Sequence, residues 1–292
     1  MGYAFRSVAG VVNMFNPRAI AVMIGSLAIC GCVSGPKCNA GRGAAPAIYG
    51  PAGRAVCRSS ADSATIQVGN YRLTNNVWNK VAACGPCSQS VFTEILNGAP
   101  AFGWSWRYPD ADVKVVSYPE LGYGYSPWNA SSWGGSPSIP ARIGTNAIAA
   151  SFDVLSSHKG AYDLAFDIWV TDPTNSPTSS DIKYEIMIWL DHSGFPPAGA
   201  RIARGVAIGG RKFDVWEMAG MKDGKKAKWT DITYVAEAPV YRGSVDISEF
   251  FADLVAKRGV PNSLFIASIE FGNEVMAGSG VTEIVDWSVA VE

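Results

Sequence analysis

The stretch that decides the fold is Tyr184-Glu185-Ile186-Met187-Ile188-Trp189-Leu190 (YEIMIWL). Side chains in a strand alternate between faces, so Ile186, Ile188 and Leu190 share one side while Glu185, Met187 and Trp189 share the other. The aliphatic set can pack a core. An acid, a thioether and an indole together read as the lining of a cleft. A second run, Ile269 to Gly278 (IEFGNEVMAG), repeats the pattern, with Glu270, Gly272, Glu274 and Met276 on one face. Both runs predict strands with one buried face and one working face.

Further strand-like runs lie on either side of these two. They fall at Ala64 to Val68, Tyr71 to Val77, Trp104 to Tyr108, Val113 to Tyr118, Ala147 to Leu155 and Tyr162 to Thr171. Others follow near Arg204 to Ile208, Lys212 to Met218, Trp229 to Ala236 and Val281 to Glu292. Gly69-Asn70 and Gly209-Gly210 sit between such runs and mark tight hairpins, whose turns need positive φ. One helix is predicted. Asp246 caps it, Glu249 completes a capping box, and Ile247, Phe250, Phe251, Leu254 and Val255 form its apolar stripe. Lys257, Arg258 and Gly259 close it. Many short strands with one late helix predict an all-β fold: two antiparallel sheets packed as a jelly-roll sandwich with a concave cleft.

At 292 residues and 48% hydrophobic, the chain can bury a large core. A net charge of -1 with 17% charged residues gives no clustered basic surface, which excludes nucleic acid as the partner. A neutral polymer such as a polysaccharide fits this balance, and ten tryptophans are more than the core needs. Two carboxylates on neighbouring strands with tryptophans beside them are what hydrolysis of a glycosidic bond requires. No cofactor is expected, since His158 and His192 show no ligand spacing. Cys84-Gly85-Pro86-Cys87 matches a thioredoxin-type motif, but that motif works at the start of a helix in a βαβ unit, which nothing around it suggests.

Residues 1–32 read as an export signal. Arg6 and Arg18 precede an apolar stretch, Ala19 to Ile29, that has the length of a signal-peptide core and is short for a membrane span. Ile29-Cys30-Gly31-Cys32 resembles a degenerate bacterial lipoprotein box, in which Cys32 would carry a lipid anchoring the protein to a membrane. Lipidation and plain secretion stay open, and either places the protein in the cell envelope or the medium. Residues 33–58, rich in Gly, Ala and Pro, read as a linker, and 59–292 as the folded domain, expected to be a monomer. Export permits disulfides among Cys38, Cys57, Cys84 and Cys87, with all three pairings open.

Four motifs, in order, resemble glycoside hydrolase family 12, the jelly-roll endoglucanases and xyloglucanases. Asn75-Asn76-Val77-Trp78 is similar to an early run lining the non-reducing-side subsites. Ala165-Phe166-Asp167-Ile168-Trp169 is similar to the strand whose aspartate supports the nucleophile. Tyr184 to Leu190 is close to the nucleophile motif, and Phe271-Gly272-Asn273-Glu274 with Gly278 to the acid/base motif. The resemblance covers roughly Cys57 to the C-terminus. It departs from the family at Arg58-Ser59-Ser60, where a cleft tryptophan usually follows the early cysteine, and at Val275-Met276 after the acid/base.

The resemblance implies a retaining hydrolysis of β-1,4-glucan with Glu185 as nucleophile, Glu274 as acid/base, and Asp167 hydrogen-bonded to Glu185. Asn76, Trp78, Met187, Trp189 and Trp169 are the implied substrate contacts. Cellulose, mixed-linkage glucan and xyloglucan are all candidate substrates. Glu270 either adds negative potential near the reaction or is solvated. A non-catalytic glycan-binding sandwich is the competing class, although a lectin gains nothing from burying paired carboxylates.

Overall fold

Strand alternation organises the structure, a computed structural model that describes residues 48–49, 55–79, 86–96, 99–109, 114–132, 138–223 and 227–292. The stretch read as an export signal, most of the stretch read as a linker, Cys38 and Cys84 lie outside the described residues. The strands run in chain order as β1 (Ile48–Tyr49), β2 (Ala55–Ser59), β3 (Thr65–Val68), β4 (Tyr71–Thr74), β5 (Ser88–Leu96) and β6 (Ala99–Tyr108). Then come β7 (Glu120–Ser126), β8 (Ser131–Ser132), β9 (Ala141–Arg142), β10 (Ile148–Thr171), β11 (Ile182–Ser193) and β12 (Ala200–Ile208). The series closes with β13 (Arg211–Asp223), β14 (Ala227–Ala236), β15 (Arg242–Asp246), helix α1 (Ile247–Lys257), β16 (Phe265–Gly272) and β17 (Val275–Val291). β1 and all of β2 but Ser59 fall within the stretch read as a linker.

Two sheets form. One has the order β3-β4-β7-β16-β10-β11-β14-β13-β12, and the other β1-β2-β5-β6-β17-β10-β15. All recorded pairs are antiparallel except β11 with β14. This is the expected jelly-roll sandwich, and β10 belongs to both layers. Its first part pairs with β17 from Ile148 to Tyr162, and its last part with β11 and β16 from Tyr162 or Ala165 to Thr171. The sequence suggested two strands there, broken by the polar residues 156–161. Pairing with β17 carries the ladder straight through them. Val113 to Tyr118, by contrast, contributes only an isolated bridge at Ser117 among its described residues.

On β10, Leu164, Phe166, Ile168 and Val170 point into the core between the sheets, where Ile186, Ile188 and Leu190 of β11 meet them. Phe152, Phe166, Phe271 and Trp287 interlock at the centre, with Phe166 stacked on Trp287 at 5.9 Å. Each such buried ring contributes about 1.5–3 kcal/mol of transfer free energy. The helix forms as the sequence predicts, and Asp246 accepts from the Ser248 and Glu249 N–H groups. Phe250 packs against Phe213 and Tyr234, which fastens α1 to β13 and β14.

Where β10 and β17 cross between layers, Gly160 faces Gly278 in register. Both have positive φ, 114° and 100°, and a Cβ on Gly278 would lie 1.9 Å from the Lys159 carbonyl oxygen. Only glycine tolerates this approach of backbone to backbone. Gly278→Val is therefore expected to destabilise the domain by about 2–4 kcal/mol in urea unfolding. A loss below about 0.5 kcal/mol, the range of an ordinary surface substitution, would contradict the crossing geometry.

Candidate active site

The residues of β10 and β11 that alternate with the core set lie on the opposite face of the larger sheet. Asp163, Ala165, Asp167 and Trp169 come from β10, and Glu185, Met187 and Trp189 from β11. Asp231 and Thr233 of β14 pair with Glu185 and Met187. Ser268, Glu270 and Gly272 come from β16, and Glu120 from β7. This face turns away from the core, yet Asp163, Asp167, Glu120, Asp231 and Glu270 are all buried. A sheet face can bury its acids in this way only where it is curved and roofed, as a cleft requires.

Glu185 is half-buried on β11 opposite Trp169. Trp229 Nε1 donates to Glu185 Oε2 at 2.5 Å. The expected hydrogen bond from Asp167 is not made. Asp167 stands opposite Met187, one diagonal step from Glu185, and its buried Oδ1 has no hydrogen-bond partner. Burial, and next the charge of Glu185, push the Asp167 carboxyl well above the usual range. Glu185 is also pushed up, by burial first and then by Asp231 and Glu274, while the Trp229 indole pulls it down. Negative charge settles where donors are: Glu185 has the Trp229 N–H and Asp167 Oδ1 has none, so Glu185 is the better placed of the two to carry charge.

Glu274 does not sit within a strand as expected. It follows Asn273 in the short gap between β16 and β17, where the chain passes from one layer to the other. The gap is pinned from several directions. Glu274 N–H donates to Asp163 Oδ1 at 2.8 Å, and Asp163 N–H donates back to the Glu274 carbonyl at 3.0 Å. Asn273 Oδ1 accepts from Trp104 Nε1 and Thr282 Oγ1, each at 2.7 Å, and its Nδ2 donates to the Asp163 carbonyl. Burial raises Glu274, and the Asp163 carboxyl beside it opposes that rise. Asp163 itself is raised by burial and by Glu274. The charge of Glu274 also reaches Glu185, Asp167 and Asp231, which puts its carboxyl in their neighbourhood.

The other expected contacts divide into two groups. Trp78 is 49% exposed and presents its ring to solvent, with half-buried Asn76 beside it. Trp169 and Trp189 are 5% and 2% exposed. Trp169 packs edge-on against Trp128 and Trp229, and Trp189 against Phe195. Met187 is buried between Ala165, Trp189 and Val235. These three form the floor rather than the open surface. Glu270 is not solvated: it is buried, accepts from Ser268 Oγ at 3.0 Å, and burial raises it to about 7.

Sequence reasoning missed Trp229, Asp231, Asp163 and Glu120. Trp229 and Asp231 had been read only as part of a strand, and their alternation with Ile232 and Tyr234 held the one usable signal. Asn273 appeared in a motif, with no role attached.

The family model described as Glycosyl hydrolase family 12 matches residues 69–292. Endoglucanase S of Pectobacterium parmentieri is 31% identical over 243 residues, which is 80% of this chain and 87% of that protein. A xyloglucan-specific endo-β-1,4-glucanase A of Emericella nidulans is 28% identical, over 78% of this chain and 88% of its own. The structure of a family 12 xyloglucanase from Bacillus licheniformis superposes with a TM-score of 0.73 at 26% identity, covering 80% of this chain and 100% of that one. With its four motifs carried on the sandwich described above, the chain belongs to glycosyl hydrolase family 12.

Proposed function

We propose that this family 12 enzyme is an exported endo-β-1,4-glucanase that cleaves internal bonds of β-glucans with retention of configuration. The observation that carries this reading is the grouping of Glu185, Glu274 and Asp167, near enough that the charge of Glu274 opposes ionisation of both others and the charge of Glu185 opposes that of Asp167. Glu185 attacks the anomeric carbon through Oε1 while the Trp229 N–H holds Oε2. Glu274, kept protonated by burial, gives its proton to the leaving oxygen and then takes one from the water that releases the glycosyl intermediate. Protonated Asp167 beside the nucleophile stabilises its charge as it is regenerated.

Trp78 offers a flat apolar face to the C–H side of a pyranose, and Asn76 a hydroxyl contact next to it. Trp169, Trp189 and Met187 support the sugar from beneath. A glycan-binding sandwich without turnover would need the aromatics but not the acids, and burying those acids is costly. Relatives include endoglucanases and xyloglucan-specific enzymes, so the preferred glucan is decided by assay. Export is supported by the basic, then apolar, leader and by Cys57 and Cys87, which are both disulfide-bonded.

Reducing-sugar release from barley β-glucan, xyloglucan and carboxymethylcellulose, beside Glu185→Gln, tests the reading. The substitution is expected to lower kcat by roughly 10³-fold or more with the fold intact. A folded wild-type protein that binds glucan without cleaving any of the three would move the reading to a binding module. Trp229→Phe keeps a ring but removes the donor to Glu185. It should cost about 10- to 100-fold in kcat/KM and move the acid limb of the pH profile upward, because a carboxylate without its donor is harder to ionise. An unmoved limb would remove Trp229 from the account.

Stability follows the same electrostatics. Asp231 is raised to about 7 in the folded protein, chiefly by burial, so folding holds a proton that the unfolded chain has released. That contribution is full below the unfolded carboxylate pKa and is lost as pH rises through about 7. Tm should therefore fall between about pH 5 and about pH 8; a Tm that rises over that interval would contradict the burial of protonated acids.

A further inference from the structure

Glu120 and Glu270 lie outside the reaction just described, yet they are among the most buried acids of the protein, at 2% and 3% exposure. Glu120 is the first residue of β7 and pairs with Gly272. Glu270, two residues earlier on β16, pairs with Gly122, so the two carboxyls meet on the diagonal. Register and burial bring the two carboxyls together, and each shifts the other's titration. Around them, Asn76 Nδ2 donates to Glu120 Oε2 at 3.4 Å, and Ser268 Oγ donates to Glu270 Oε1 at 3.0 Å.

No Lys or Arg among the described residues is hydrogen-bonded to either acid. Arg72, the cation nearest in register, pairs with Gly122 and turns its guanidinium to Ser131 Oγ at 3.4 Å. The other titratable groups facing the pair are Asp167, Glu185 and Tyr118, which bear no positive charge. Two buried carboxylates in contact cannot both ionise without a cation, so one must hold a proton and donate it to the other.

We propose that Glu120 and Glu270 are positioning residues for the reaction, a carboxyl–carboxylate pair sharing one proton that orients the Asn76 amide and keeps Asp167 in its acid form beside Glu185. The geometry gives each partner its own task. Asn76, which gives its amide N–H to Glu120, is left with Oδ1 to accept from a sugar hydroxyl. Glu270 faces Asp167 directly across the β10–β16 ladder. Its charge opposes ionisation of Asp167, whose Oδ1 has no other partner. The inference rests on Glu185 being the nucleophile.

Two isosteric variants separate charge from packing. Glu270→Gln leaves the pair's one charge on Glu120, a strand farther from Asp167, and should move the acid limb of kcat/KM downward by about half a pH unit or more, since Asp167 and Glu185 lose their nearer negative neighbour. Glu120→Gln still donates to a charged Glu270 and should leave that limb in place. Equal shifts in both variants, or none in either, overturn the proposal. Carbon-13 NMR of wild-type enzyme labelled at the glutamate carboxyl carbon repeats the test without substitution. Two carbons should each report the same two steps, the upper one above the ordinary glutamate range. Glutamates that all titrate independently near their usual value of about 4.3 overturn it too. This arm needs no turnover, so its failure is distinct from failure of the glucanase reading, which the inactivity of Glu185→Gln decides.

Discussion

Acids packed together without cations constrain this site more than any other feature. Asp163, Asp167, Asp231, Glu120 and Glu270 are buried on one sheet face, with Glu185 and Glu274 half-buried among them. None of the seven makes a recorded ion pair with a described Lys or Arg. In so dry a place, additional ionisation costs more than the last, so the group shares few negative charges and many protons. Where donors lie then decides which carboxyl is charged. The Trp229 indole draws the charge to Glu185, and bare Asp167 keeps its proton.

The fold supplies this arrangement through strands that serve both layers. β10 brings Asp163 and Asp167 to the face while its alternate residues fill the core. The passage from β16 to β17, antiparallel to it, leaves Asn273 and Glu274 between two ladders. There the side chain of Asn273 replaces the missing sheet partners. Glu274 is thus held by the crossing of the two layers rather than by a strand of either one. A single residue of slip at this point would turn Glu274 to the wrong face.

The sequence showed much of this and concealed the rest for a physical reason. Strict alternation in YEIMIWL made the Glu185, Met187 and Trp189 face legible, and the capping residues made α1 legible. Glu274 was read as a strand residue, because alternation is local and says nothing about where a chain leaves one sheet for another. Trp229 meets Glu185 from 44 residues away, and Asp163 meets Glu274 from 111. Such partners are chosen by register between strands, which one sequence does not display. The depth of Trp169 and Trp189 was hidden likewise, since Trp128, Trp229 and Phe195 cover them from distant segments.

The central claim is that Glu185 forms a glycosyl bond which Glu274 then helps to hydrolyse. Proton NMR of the first products released from a cello-oligosaccharide tests it most directly, recorded before mutarotation mixes the anomers. Two inversions predict that the β-anomer appears first and the α-anomer grows in slowly. An α-anomer formed at the outset would mean a single displacement by water, and Glu185 would not be the nucleophile.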